Sequence, residues 1–176
     1  LLLGGLALST PASAQTHRLP YAQAGAALAY AQAEVRILHD AVTAKRFDLG
    51  FTRSTLGQLE LALAEAKRNV DRAETLLPEK LSKRADAVRA VRDAVVAAET
   101  QRDALAKAVD EQTKVLTVED EAEAADLPPT DWDLLERETG WLAVDIRKAV
   151  GAHRRLLRPL RVRRPGKVKK PRGKRD

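Results

Sequence analysis

The sequence predicts an all-α protein made of a long antiparallel helical hairpin or coiled coil, one further C-terminal helix and a disordered basic tail. The 176 residues are 44% hydrophobic but only 3% aromatic, so the core must be built from Leu, Val and Ala, and Ala and Leu are strong helix formers. Aliphatic residues also recur every seven positions through the middle of the chain. The absence of cysteine excludes disulfides, thiolate metal sites and lipid-modified cysteines.

The N-terminal segment 1–14, LLLGGLALSTPASA, predicts a secretory signal peptide. The apolar run 1–8 is too short to span a bilayer, and the Ala-Ser-Ala at 12–14 matches the cleavage pattern of exported proteins. We therefore expect a mature chain that starts at Gln15, is exported to the periplasm or cell envelope and has no transmembrane span. The alternative is an apolar N-terminus on a cytosolic protein.

A heptad repeat of aliphatic residues predicts the first arm of the helical hairpin, which we assign to residues 15–125. All eight seam positions are aliphatic, and the positions three residues further on are mostly Ala or Leu, as is typical of closely packed coiled helices. We expect a single helix over 28–77. The seam positions are Leu28, Val35, Val42, Leu49, Leu56, Leu63, Val70 and Leu77.

Glycine raises the question of whether that first helix is interrupted. Gly50 could end a helix, with Thr55 and Gln58 opening the next one as a capping box. The seam nevertheless passes this point without a break, and Gly50, Gly57 and Ala64 are seven residues apart. We interpret these three as a smooth stripe on which a further helix docks.

A second aliphatic series, from Leu81 to Leu116, predicts the returning arm of the hairpin. It is out of phase with the first, and Pro78 lies between the two, so we expect the chain to reverse near this proline. The alternative is one kinked helix with a four-residue stutter. Arg102 and Gln112 interrupt the seam and are expected to limit its register or its choice of partner. Because two helices alone bury little surface, we predict self-association or a partner helix through the seam.

The region after the hairpin predicts a linker and then an amphipathic helix. An acidic run at 119–126 leads into a linker at 126–131, where Thr130 or Asp131 can cap a helix over 132–157. We expect this helix to pack on the hairpin, and the alternative is a helix on a membrane surface. The face expected to pack is formed by Trp132, Leu135, Leu142, Ile146, Ala149 and His153.

The tail at 158–176 holds ten Lys/Arg and one acid, with proline every six residues. Such a segment cannot form a continuous helix or a core, so we predict a disordered tail that binds a polyanion. The alternatives are a solubilising tail and an intramolecular contact with the acidic run at 119–126. The candidate polyanion-binding residues are Arg158, Arg161, Arg163, Arg164, Lys167, Lys169, Lys170, Arg172, Lys174 and Arg175.

No catalytic, cofactor-binding or metal site is predicted, because His17, His39 and His153 have no neighbours at metal-ligand spacing and no nucleophile motif is present. We therefore expect a non-enzymatic protein without a cofactor. The favoured function is an exported scaffold or adaptor of the cell envelope, tethered by its cationic tail to an anionic surface or polymer. The alternatives are a nucleic-acid-binding accessory protein and a periplasmic holdase chaperone.

Overall fold

The computed structural model describes residues 18–46, 48–77, 84–116 and 131–157. Within them the chain forms four helices and no strand, which confirms the all-α class. Among these helices, none combines the length and the apolar character needed to cross a bilayer. The helices are α1 (Arg18–Thr43), α2 (Leu49–Thr75), α3 (Ala85–Leu116) and α4 (Trp132–Leu157).

Several of the predictions lie outside the described residues. These are the signal peptide at 1–14, the reversal near Pro78, most of the linker at 126–131 and the basic tail at 158–176. The acidic run at 119–126 lies outside them as well. These parts of the sequence stay predictions.

The four helices form an antiparallel bundle in which each helix packs against the helices before and after it, and α4 closes the ring against α1. The direction follows from side-chain contacts, because Arg53 of α2 meets Asp110 of α3 whereas Lys67, two heptads later, meets Glu99. The predicted antiparallel hairpin is thus present as α2 and α3. The predicted C-terminal helix is α4, which packs against α1 and α3.

The predicted seam forms the core of this bundle. Leu28 and Val35 of α1 and Leu63 and Val70 of α2 are all buried, at most 2% exposed. Helices of the same chain cover these residues. Helix α1 packs against α2 and α4, and α2 packs against α1 and α3. The partner helices of this seam therefore come from the same chain, and the predicted self-association stays a prediction.

The prediction of one helix over 28–77 is wrong, because α1 ends at Thr43 and α2 begins at Leu49. The N–H of Arg46 donates to the carbonyl oxygen of Ala41 (2.9 Å) and that of Lys45 to Val42 (2.8 Å). This is a Schellman ending, with Lys45 in the left-handed region at φ 52°.

The second helix is started by an aspartate rather than by the predicted capping box. The Asp48 carboxylate accepts a hydrogen bond from the Phe51 N–H (2.6 Å), which satisfies one of the free donors of the first turn. Gly50 therefore lies in the first turn of α2, and Thr55 is buried inside that helix. Gly57, at the centre of the predicted docking stripe, faces open space, so no described helix docks there.

Replacing Lys45 with glycine is expected to stabilise the bundle by about 1 kcal/mol, because glycine adopts the left-handed conformation without the strain of a Cβ. Urea denaturation monitored by circular dichroism measures the effect. The same change at Lys107, exposed inside α3, is the matched control and should destabilise by about 1 kcal/mol. Two changes of equal sign would contradict the described turn.

The start of α4 is fixed by Asp131. Its carboxylate accepts from the Leu134 N–H (2.8 Å), while its own N–H donates to the Gln112 side-chain oxygen of α3 (2.8 Å). Gln112 thus joins the end of α3 to the beginning of α4. The buried side of α4 includes Leu135, Leu142, Ile146, Ala149 and His153, as expected for a helix packed on the hairpin rather than on a membrane.

Candidate functional site

One end of the bundle gathers arginines from α1, α2 and α4 and from Arg84, the residue before α3. The Nε2 atom of His153, near the end of α4, lies 2.7 Å from the carbonyl oxygen of Tyr21, so the end of α4 lies beside the beginning of α1. Because neighbouring helices are antiparallel, α2 also ends here and α3 begins here. We call this end the basic pole and define it by Arg18, Arg72, Arg84, Arg154 and Arg155.

Three of the described acids near the basic pole are engaged by arginines of α3. Arg92 of α3 bonds to Asp71 (2.7 Å) and also to Glu74, and its hydrogen bonds to these two carboxylates raise the pKa of Arg92. Arg89 lies 3.4 Å from Asp86. Consequently, these three carboxylates are paired with arginines of α3 rather than with the arginines of α4.

Arg154 and Arg155 are exposed and have no carboxylate within 4.0 Å among the residues that the structure describes. Both lie in the last turn of α4, where the partial negative charge of the helix C-terminus favours cations. Their position therefore has a structural reason as well as a functional interpretation. They are also the last cations before the segment 158–176, which holds ten more.

The ten predicted polyanion-binding residues, from Arg158 to Arg175, all lie outside the described residues. The structure adds four exposed cations of α4 that the site prediction omitted: Arg147, Lys148, Arg154 and Arg155. The signal for them was the charge count, because residues 147–157 contain no acid. Lys148 is paired with Asp145 at 2.7 Å, so Arg154 and Arg155 are the clearest additions.

A second candidate lies on the side of the bundle, between α1 and α4. His39 Nδ1 is 3.0 Å from the Thr139 hydroxyl, and the Arg137 guanidinium lies 5.3 Å from the centre of the Trp141 ring. His39, Arg137 and Trp141 border an open cavity of ≈ 460 Å³ together with Asp133 and Glu136. Within the described ranges, no group of three His, Asp or Glu side chains could hold a metal ion.

The side cavity is best interpreted as a polar contact between two helices. The Thr139 hydroxyl donates to the carbonyl oxygen of Leu135 (2.8 Å), which leaves it free to accept from His39. A hydrogen bond between α1 and α4 at this level fixes their register. Thr139 is 0% exposed and its hydroxyl proton is directed at the Leu135 carbonyl oxygen rather than at His39, so this contact supports packing rather than activation of a nucleophile.

Comparisons with protein-family models, with curated proteins and with solved structures found no match. The bundle, the basic pole and the composition of the segment 158–176 are therefore the observations from which a function can be argued.

Proposed function

We propose that the chain is an exported, non-enzymatic helical adaptor of the cell envelope, held on an anionic lipid surface by its basic pole and by the segment 158–176. The observation that carries this proposal is the continuity of charge. Arg154 and Arg155, which have no carboxylate within 4.0 Å among the described residues, lie in the last turn of α4, and ten further Lys/Arg follow in 158–176. Each cation near an anionic membrane contributes about 1 kcal/mol of attraction.

The distribution of charge supports attachment at one end rather than over the whole surface. Residues 1–146 contain more acids than bases, whereas 147–176 contain a single acid, Asp176. At the opposite end, Asp131, Asp133 and Glu136 lie at the start of α4. An anionic surface would therefore attract the basic pole and repel the start of α4.

Lipid is favoured over nucleic acid by two features of the sequence. The pattern at 1–14 predicts export, which separates the chain from cytosolic nucleic acid. The segment 158–176 contains no aromatic residue, so it has no side chain on which bases would stack. Nucleic acid is kept as an outcome of the test.

Co-sedimentation with vesicles of phosphatidylcholine and phosphatidylglycerol tests the proposal. We expect the full chain to bind these vesicles and not pure phosphatidylcholine. The double change Arg154→Gln and Arg155→Gln should weaken binding about tenfold or more, because glutamine keeps the helix propensity and removes the charge. Deletion of 158–176 should weaken it more than about 100-fold.

The matched control is the double change Arg46→Gln and Lys107→Gln, which removes two exposed cations near the opposite end of the bundle. It should leave vesicle binding within about twofold, because these cations lie far from the vesicle surface. Equal losses in both double variants would contradict an oriented attachment. Tight, strongly salt-dependent binding to duplex DNA without vesicle binding would favour the nucleic-acid function.

Mass spectrometry of the native N-terminus tests export, and an uncleaved cytosolic chain would overturn it.

A further inference from the structure

The basic pole also exposes large apolar side chains. Leu19 at the start of α1 is 63% exposed, Leu76 at the end of α2 is 38% exposed and Leu157 at the end of α4 is 53% exposed. A single exposed leucine is ordinary on a protein surface, whereas several at one end of a bundle, among cations, indicate an interaction surface.

A contact between α1 and α4 brings two of these leucines to the same level. The His153 ring meets the carbonyl oxygen of Tyr21, with 2.7 Å between the two atoms. Leu157 lies one helical turn beyond His153, and Leu19 lies two residues before Tyr21. Both leucines are therefore on the outer side of this contact, towards the end of the bundle.

The end of α2 reaches the same region. Burial raises the pKa of Tyr21, the positive charge of Arg84 lowers it and the negative charge of Glu74 raises it, so both charges lie near the start of α1. Leu76 is two residues beyond Glu74 and caps α2, where its N–H donates to the carbonyl oxygen of Arg72 (3.2 Å). The exposed leucines of three helices thus lie together at the basic pole.

Each of these leucines has an exposed arginine within four residues on its own helix. The pairs are Arg18 with Leu19, Arg72 with Leu76, and Arg154 with Leu157. Leu61, which is 70% exposed on the side of the bundle, instead has Glu60 and Glu65 as its charged neighbours. Leucines beside arginines are typical of a surface that meets both the headgroups and the hydrocarbon of a membrane.

We propose that Leu19, Leu76 and Leu157 insert among the acyl chains of an anionic membrane while the arginines of the basic pole bind the lipid phosphates. This insertion rests on the proposed attachment to anionic lipid and adds the hydrocarbon as a second contact. The two contacts are compatible, because a long arginine side chain reaches back to the headgroups while a neighbouring leucine lies deeper. A soluble polyanion would neutralise the arginines and leave the leucines in water.

Salt separates the two contacts. The attraction between arginine and phosphate is screened as the salt concentration rises, whereas the transfer of leucine from water to hydrocarbon involves no charge. Loss of the leucines should therefore weaken membrane binding by a similar factor at low and high salt. Loss of the arginines should matter mainly at low salt.

Co-sedimentation of the triple variant Leu19→Ala, Leu76→Ala, Leu157→Ala with vesicles of phosphatidylcholine and phosphatidylglycerol tests the insertion. We expect the affinity to fall more than about tenfold, because less apolar surface leaves water on binding. The factor should be similar at about 50 and about 500 mM NaCl, where the screening length falls severalfold below its low-salt value. The effect of the double change Arg154→Gln and Arg155→Gln should largely disappear at the higher concentration.

The matched control is the triple variant Ile37→Ala, Leu61→Ala, Val96→Ala. It truncates three exposed apolar side chains on the sides of the bundle and should bind the vesicles like the unmodified chain. Both triple variants should keep the helical circular dichroism spectrum, because all six side chains are exposed. Equal weakening in the two triple variants would overturn insertion at the basic pole.

A fluorescent label measures the insertion directly, since the chain contains no cysteine of its own. A Leu157→Cys chain that carries an environment-sensitive fluorophore should show blue-shifted emission when these vesicles are added. Bromine atoms on the acyl chains should quench that emission. The same label on a Leu61→Cys chain should show neither effect, because it stays in water on the side of the bundle.

The possible results separate the insertion from the function on which it rests. A full chain that fails to bind the anionic vesicles would overturn both. Equal binding by the unmodified chain and the leucine variant, with the label at position 157 still in water, would overturn the insertion alone. The attachment would then be purely electrostatic.

Discussion

Replacing Gly25 with alanine is expected to destabilise the bundle by about 3 kcal/mol. A Cβ at this position would lie 2.5 Å from Cε1 of the His153 ring, far inside contact distance. The ring cannot move away freely, because it is buried and its Nε2 lies 2.7 Å from the Tyr21 carbonyl oxygen. Displacing the ring would lose this hydrogen bond and separate α1 from α4. Urea denaturation of the two proteins measures the difference.

The sign of the effect should reverse when the histidine is absent. In a His153→Ala background the added methyl group meets no ring, and Gly25→Ala should then stabilise by about 1 kcal/mol, because alanine is the better helix former. Gly57→Ala is the matched control in α2. It has open space around it and should also stabilise by about 1 kcal/mol. A Gly25→Ala chain as stable as the Gly57→Ala chain would contradict the described contact between α1 and α4.

Replacing Leu63 with alanine is expected to destabilise the bundle by about 3 kcal/mol, because it removes a fully buried side chain and leaves a cavity. Leu63 is 0% exposed and lies at a seam position of α2. The loss is a large fraction of the total of about 5–15 kcal/mol by which domains are stable. The midpoint of urea denaturation should fall accordingly.

The matched control is Leu61→Ala, two residues away on the same helix. Leu61 is 70% exposed, so its truncation should change the stability of the isolated chain by less than about 0.5 kcal/mol. Comparable losses at both positions would contradict the assignment of the seam to the core.

The sequence determined the helical faces well because burial follows a simple period. Six of the eight seam positions are buried, and Leu49 and Leu77 are half-buried. The predicted face of α4 is also buried at Leu142 and Ile146. The break at residues 44–48 could not be predicted in the same way. The connector preserves the seven-residue step from Val42 to Leu49, and the left-handed residue at its centre is Lys45 rather than the usual glycine.

Contacts between distant parts of the chain were also beyond the sequence pattern. Nothing local to Gly25 indicates that a ring from His153 covers it, since the two are brought together only when α4 packs on α1. The residues of the candidate site also differ in how far the sequence indicated them. The composition of 158–176 alone predicted a polyanion-binding segment, and the absence of acids from 147–157 already pointed to Arg154 and Arg155. What the structure adds is that both are exposed in the last turn of α4.

The even number of helices has a consequence for how the molecule can be rebuilt. Helix α1 begins beside the end of α4, so the first and the last residue of the four-helix bundle both lie at the basic pole. A short linker could join Leu157 to Arg18, and new termini could then be made at the exposed turn at residues 44–46. The resulting circular permutant would keep every contact between helices. A segment fused to its new termini would lie at the opposite end of the bundle, about 40 Å from the basic pole.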